Sequence, residues 1–197
     1  GFLELAMAGV REVFGTAECV LRNLVIAEAL KLSEATTTTV QVIVTPAGPD
    51  DHTVRVFSRP AGSDADDRSA WRLHVSCEAS RADSGVASRR ERDSLLRGPT
   101  QSIDVEQYYA TLGEQGVHYG PAFQVIRSVD RGDHEVLGRL VVLNTLAHDA
   151  SRMSVHPALL DGCLQLVGAA LPSDEAARAD DVCVPVGIGA YRVHRRG

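Results

Sequence analysis

Apolar positions recur with a helical period in three stretches of the chain. The first stretch predicts a helix over 2–14 that is closed by Gly15. The second predicts a short helix over Asp104–Leu112, with Ser102 or Asp104 as its N-cap. The predicted apolar stripe of the first helix consists of Phe2, Leu3, Leu5, Ala6, Val10, Val13 and Phe14.

Between and after these helices, short β-branched or alternating segments predict strands. The segments are 19–32, Val40–Val44, His52–Phe57, Trp71–Cys77, Ala122–Ser128, Glu135–Val142, Val182–Val186 and Ala190–Val193. Asn23 predicts an irregularity in the first segment, and Asp130–Asp133 predicts a turn between the fifth and the sixth.

A polar stretch rich in Arg, Ser and Asp divides the chain. It extends from Ala79 to Gln101 without a sustained period, and it predicts a linker over 81–101. The predicted halves are 1–80 and 102–197, each with one strongly apolar helix among strands. With 44% hydrophobic residues the chain can bury a core, and the pattern predicts an α+β protein.

The third helical stretch begins at Pro157 or Ala158, runs to Leu171 and is apolar on most sides, yet it contains a carboxylate. Asp161 and Gln165 are four residues apart and therefore lie one turn apart on the same face. Burial raises the pKa of a carboxyl group, which suits a general acid at neutral pH. The residues alone equally allow a structural role, in which Asp161 stabilises the early turns through the helix macrodipole.

A second stretch, Val117–Gln124 with the sequence VHYGPAFQ, bears on this choice. Together with His156–Gln165, HPALLDGCLQ, it resembles the dehydratase domains of modular type I polyketide synthases, which carry a YGPxFQ-type loop followed by HPxLLDxxxQ. The opening Gly1–Gly9 resembles the central helix of that family's first half. The resemblance implies a double hotdog fold, in which each half wraps a curved antiparallel sheet around a central helix.

The resemblance also implies a hydro-lyase that removes water from a 3-hydroxyacyl chain carried on the phosphopantetheine of an acyl carrier protein. Asp161 would then serve the leaving hydroxyl, and Gln165 would hold Asp161 in orientation. Tyr119 would approach the same hydroxyl from the loop. Gly120 and Pro121 would shape that loop, with the glycine allowing backbone angles or close approaches that a larger residue forbids.

Elimination also needs a base and donors to the enolate oxygen. The family's catalytic His lies in an HxxxGxxxxP segment, so we expect it upstream of Gly1, in a longer polypeptide. A backbone N–H near Gly1 is the expected oxyanion donor, and Leu160 is expected to line the substrate site. His156 is expected to have a structural role at the start of the third helix. A catalytic role for His118 as a partner of Asp161 is the less favoured alternative.

Composition and charge argue against several other classes of function. A net charge of -6 and no basic patch with interleaved aromatic residues argue against nucleic-acid binding. No apolar run of about 18 residues predicts a membrane span. The four cysteines, Cys19, Cys77, Cys163 and Cys183, lack zinc-site spacing and predict buried thiols in a reducing cytoplasm. We expect neither a metal nor a nucleotide cofactor.

Two departures from the family pattern leave the chemistry open. Val184–Val193 lacks the aromatic positions of the usual LPFxW motif, and Gly162 stands where Ala or Val is more usual. Both changes predict a larger or reshaped substrate tunnel. Alternatives are therefore a dehydratase-like isomerase or cyclase, or a catalytically silent hotdog module that binds acyl chains or supports structure. Neighbouring synthase domains and a homodimer are implied by the family, whereas the acyl chain and its stereochemistry do not follow from the residues.

Overall fold

The computed structural model describes residues 1–15, 18–64, 67–82, 100–133, 135–146, 148, 153–170 and 184–193. The described residues form two compact units. The first unit contains those up to 82 together with 185–193, and the second contains those from 100 to 184.

The first unit is a helix packed on an antiparallel sheet of five strands. Its elements are α1 (Phe2–Phe14), β1 (Cys19–Ile26), β2 (Thr38–Pro46), β3 (Asp51–Pro60), β4 (Arg72–Arg81) and β8 (Gly187–Arg192). The strand order is β2-β3-β4-β1-β8. α1 approaches β2 closely because position 9 is glycine: a Cβ there would lie 2.8 Å from Val42 Cγ1.

The predicted end of α1 is confirmed, since Gly15 follows the helix in the left-handed conformation with φ 66°. The predicted apolar stripe includes one exposed residue and omits one buried residue. Val13 is 50% exposed, whereas Met7 is buried together with Leu3 and Val10. The buried face therefore follows steps of three and four from Leu3.

The irregularity predicted at Asn23 is also confirmed. Asn23 has φ 51°, and the register of β1 against β4 shifts between Arg22 and Val25. The prediction that strand-like structure continues to residue 32 is wrong, because β1 ends at Ile26 and Leu32 is 73% exposed. Ala27 N still donates to His74 O of β4 over 2.8 Å, so contact with the sheet ends shortly after β1.

The second unit combines a three-stranded antiparallel sheet, in the order β5-β6-β7, with two longer α-helices and a 3-10 turn at Asn144–Leu146. Its elements are β5 (Gln101–Ile103), α2 (Val105–Glu114), β6 (Ile126–Arg131), β7 (Val136–Leu140) and α3 (Pro157–Ala170). Asp104 is the N-cap of α2, as predicted, and its carboxylate accepts a hydrogen bond of 3.0 Å from Gln107 N.

α3 packs on β6 and β7, with Leu166 and the smaller Ala169 in the shared core. Burial on most sides is wrong, because Val167 is 59% exposed and Cys163 is also exposed. The larger or reshaped tunnel stays a prediction, but Gly162 leaves no free space where its missing Cβ would lie. A Cβ on Gly162 would overlap Val125 Cγ2 and approach Leu140 Cδ2 to 3.1 Å, so the space is already filled. The buried residues of α3 are Ala158, Gly162, Gln165, Leu166 and Ala169.

The last strand also differs from the prediction. Residues 184–186 are not a strand, 182–183 lie outside the described residues, and β8 begins at Gly187. The sequence placed this segment in the half 102–197, yet it pairs with β1 from Val20↔Arg192 to Val25↔Gly187, which gives that edge of β1 its hydrogen-bond partners. Most of the predicted linker 81–101 lies outside the described residues, so the boundaries at 80 and 102 stay predictions.

Candidate active site

The candidate site is built around a hydrogen-bonded pair on α3. Gln165 Nε2 donates to Asp161 Oδ2 over 2.7 Å and to the Phe123 carbonyl oxygen over 3.1 Å. Gln165 is buried, and Asp161 is half-buried. Since a carbonyl oxygen can only accept, Phe123 fixes which side of the Gln165 amide carries the N–H groups. The spacing of four residues thus yields a carboxylate held by an oriented donor.

Two adjacent tyrosines of α2 complete the surroundings of Gln165. Tyr109 Oη donates to Gln165 Oε1 over 3.0 Å and accepts from Ile126 N over 3.3 Å. Tyr108 Oη donates to the main-chain oxygen of Gln165 over 2.6 Å. We did not predict these contacts from the sequence. The one available signal was a pair of tyrosines in a short amphipathic helix, because half-buried hydroxyl groups require partners.

The loop that carries Tyr119 is closed by its own hydrogen bonds. Phe123 N and Gln124 N donate to Gly120 O over 2.9 Å and 3.2 Å, and Gln124 Nε2 donates to Tyr119 O over 2.8 Å. These bonds make a turn, so the strand predicted over Ala122–Ser128 begins only at Ile126. The Tyr119 ring lies edge-on to that of Tyr109, with centroids 6.1 Å apart.

The expected reason for glycine in this loop is wrong. Gly120 is not among the glycines with positive φ, and a Cβ built on it would meet no described atom within 4 Å. Pro121 is exposed, and Leu160 is half-buried on α3. The roles predicted for Gly120, Pro121 and Leu160 in binding substrate stay predictions.

Burial and the nearby carboxylate of Asp161 both raise the pKa of tyrosine hydroxyls at this site. Burial raises the pKa of Tyr119, and the negative charge of Asp161 raises it further. Burial likewise raises the pKa of Tyr109. Both hydroxyl groups are therefore protonated at neutral pH and available as hydrogen-bond donors.

The adjacent Tyr108 gives a prediction at high pH. Burial, with smaller contributions from Tyr119 and Tyr109, raises the pKa of Tyr108 from 10.0 to about 12. A phenolate there would lose its bond to Gln165 O, because a carbonyl oxygen cannot donate. The folded state therefore holds this proton longer than the unfolded state, so the stabilisation is complete below pH 10 and is lost as pH rises towards 12.

Between pH 10 and about pH 12, we expect the free energy of unfolding to fall more steeply for the wild-type protein than for the Tyr108→Phe variant. Urea unfolding at a series of pH values measures the difference, and phenolate absorbance of the folded protein follows the titration directly. Equal slopes for the two proteins would contradict the assignment.

Two of the described histidines, His156 and His74, make defined hydrogen bonds. His156 Nδ1 accepts from Ala158 N over 3.1 Å, which confirms a structural role at the entrance of α3. His74 is buried, with Nδ1 3.0 Å from Glu28 O and Nε2 2.7 Å from Ser58 Oγ. Because Glu28 O only accepts, Nδ1 carries the proton and Ser58 donates to Nε2. His118 is exposed and lies beside Gly113 of α2.

The structure also describes Gly1 and three of the four cysteines. Gly1 is the N-cap of α1 in the first unit, and its role as an oxyanion donor stays a prediction. Cys19 and Cys77 are buried thiols, and burial raises the pKa of Cys77 to about 11. Cys163 is exposed, contrary to prediction, and Cys183 lies outside the described residues.

Two further observations concern only the part of the chain that the structure describes. Within it, no group of three or more His, Cys, Asp and Glu side chains is placed to hold a metal ion. None of the helices there has the length and apolar character needed to cross a membrane.

Family models match both parts of the chain. A model described as the polyketide synthase dehydratase N-terminal domain matches residues 87–197, and one described as the polyketide synthase dehydratase domain matches residues 1–59. The chain belongs to the polyketide synthase dehydratase family.

Relatives and solved structures agree with this assignment. The polyketide synthase GfsE of Streptomyces halstedii is 34% identical over 175 residues, which is 86% of this chain and 4% of GfsE. The phenolphthiocerol synthesis polyketide synthase Pks15/1 of Mycobacterium bovis is 32% identical over 181 residues, which is 90% of this chain and 8% of the relative. The chain thus spans less than a tenth of these relatives, which are much larger polyketide synthases.

The fold class is confirmed by solved dehydratase domains of the curacin polyketide synthase. The domain from the CurF module matches with a TM-score of 0.85 at 25% identity, over 100% of this chain and 68% of that chain. The domain from the CurK module matches with a TM-score of 0.82 at 27% identity, over 99% of this chain and 67% of that chain. The α+β double hotdog predicted from the sequence is therefore the fold of this family member.

Proposed function

We propose that this chain supplies the acid side of an active site that eliminates water from a 3-hydroxyacyl thioester. The observation that carries the proposal is the hydrogen bond from Gln165 Nε2 to Asp161 Oδ2, on a helix whose sequence matches the family's HPxLLDxxxQ motif. Gln165 occupies Oδ2, so Oδ1 is the oxygen that would hold the proton to be donated.

In the proposed reaction a base removes the proton beside the thioester carbonyl, and the Asp161 carboxyl group transfers its proton to the departing hydroxyl. The C–H and C–O bonds break, the C=C bond forms, and water leaves. Tyr119, protonated at neutral pH, is proposed to donate a hydrogen bond to the same hydroxyl. The base is proposed to be a histidine in a segment of the family's HxxxGxxxxP type, which the family pattern places ahead of α1.

The proposed substrate carrier and setting come from the family. The acyl chain would arrive on the phosphopantetheine of an acyl carrier protein, and the protein would act as a homodimer beside neighbouring synthase domains in the cytoplasm. The large size of GfsE and Pks15/1 relative to the matched region supports the presence of such neighbours.

The direct test is turnover of 3-hydroxyacyl pantetheine thioesters of both configurations by the protein with the polypeptide upstream of Gly1 included. We expect product lighter by one water, with a conjugated double bond visible by mass spectrometry and ultraviolet absorbance. Migration of an existing double bond, or ring closure, without loss of water would instead support the isomerase or cyclase. Binding of the thioester with no chemical change would support a silent module.

A further inference from the structure

The side chain of Gln165 sits within a chain of hydrogen bonds whose directions are all determined. At one end Ile126 N–H can only donate, and it donates to Tyr109 Oη over 3.3 Å. At the other end Phe123 O can only accept, and it accepts from Gln165 Nε2 over 3.1 Å. Between these ends Tyr109 Oη–H must donate to Gln165 Oε1, since an amide oxygen carries no proton.

These directions determine that a hydrogen-bond donor of Gln165 faces Asp161. With Oε1 held by Tyr109, both hydrogens of the Gln165 amide face the opposite side, where one meets Phe123 O and the other meets Asp161 Oδ2 over 2.7 Å. The reversed amide would place Oε1 against a carboxylate and a carbonyl oxygen, and both contacts repel. Tyr109 thus helps to select the amide orientation that binds Asp161.

We propose that Tyr109 is a positioning residue for the elimination, which acts on Asp161 through the side chain of Gln165. This inference rests on the proposed function. Tyr109 lies 56 residues before Gln165 in the chain, and it comes from α2 rather than from either sequence motif. Its ring also lies edge-on to Tyr119, so one residue orders both groups that are proposed to serve the hydroxyl.

The neighbouring Tyr108 provides a matched control. Both tyrosines belong to α2 and both donate to Gln165, but Tyr108 reaches only the main-chain oxygen, whereas Tyr109 reaches the side chain. Removing either hydroxyl with a Phe substitution keeps the ring and its packing. A difference between the two variants therefore reports on the side chain of Gln165 rather than on the packing of α2 against α3.

The experiment measures kcat and KM for loss of water from a 3-hydroxyacyl pantetheine thioester, with the polypeptide upstream of Gly1 included. For Tyr109→Phe we expect kcat to fall about 10-fold at unchanged KM, since a misoriented Asp161 impairs proton transfer more than binding. For Tyr108→Phe we expect a fall below about threefold with a similar loss of thermal stability. A Tyr109→Phe variant within about twofold of wild type would overturn the inference.

A double-mutant cycle separates positioning from an independent effect. In a Gln165→Met background, Tyr109→Phe should lower kcat by less than about twofold, because the group through which Tyr109 acts is gone. A full additional 10-fold loss in that background, of about the size expected for the single variant, would overturn the inference. Failure of the proposed function would be recognised separately, by water loss that survives Asp161→Asn or by no water loss from the wild-type protein.

Discussion

Asp161→Asn is expected to lower kcat for water loss by about 10²–10⁴-fold, the usual contribution of a general acid. The substitution removes the proton that Asp161 is proposed to transfer, yet it keeps the size of the side chain and an oxygen that can accept from Gln165 Nε2. Because Asp161 is only half-buried, the fold should tolerate the change. The measurement is steady-state turnover of a 3-hydroxyacyl pantetheine thioester, with circular dichroism to verify folding.

Glu114→Gln is the matched control, since it also neutralises one carboxylate of the second unit but at an exposed position at the end of α2. We expect this variant to turn over like the wild-type protein. An Asp161→Asn protein that is folded and stays within about threefold of wild-type kcat would refute the assignment of Asp161 as the acid.

Gly162→Ala is expected to lower the free energy of unfolding by about 1–3 kcal/mol, the usual cost of overpacking. The new methyl group would overlap Val125 Cγ2 and approach Leu140. Val125 is fully buried, and a β-branched side chain has few alternative rotamers, so it cannot move aside at low cost. Urea unfolding of the 197-residue chain, followed by circular dichroism, measures the change.

Gly168→Ala, on the same helix, is the matched control for Gly162→Ala. Gly168 is exposed, and its added Cβ would lie 3.4 Å from Tyr108 Oη, which is ordinary contact. Both substitutions gain up to about 1 kcal/mol of helix propensity, so Gly168→Ala should be neutral or stabilising. If Gly162→Ala were as stable as Gly168→Ala, the close packing of α3 on Val125 would be contradicted.

Features that depend on a few consecutive residues were predictable from the sequence. Gly15 ends α1, Asp104 caps α2 and Pro157 begins α3, because caps and the first turn of a helix are governed by local backbone hydrogen bonding. The two motifs predicted the family, and the spacing of four residues predicted that Asp161 and Gln165 share a helix face. Hydrophobic periodicity likewise placed the four strands after α1.

Only the tertiary structure decided which groups meet across long separations. The contact of Tyr109 with Gln165 joins residues 56 apart, and the pairing of β1 with β8 brings Val20 opposite Arg192. Neither leaves a trace in local periodicity, since a strand or helix of the same pattern can pack against several partners. The apolar residues of α3 predicted burial on most sides, and Gly162 was one of two departures from the family pattern that predicted a larger or reshaped tunnel. The structure reveals instead that Cys163 and Val167 are exposed and that Gly162 is closely packed, because close packing is set by the shape of both surfaces and not by the hydrophobicity of one.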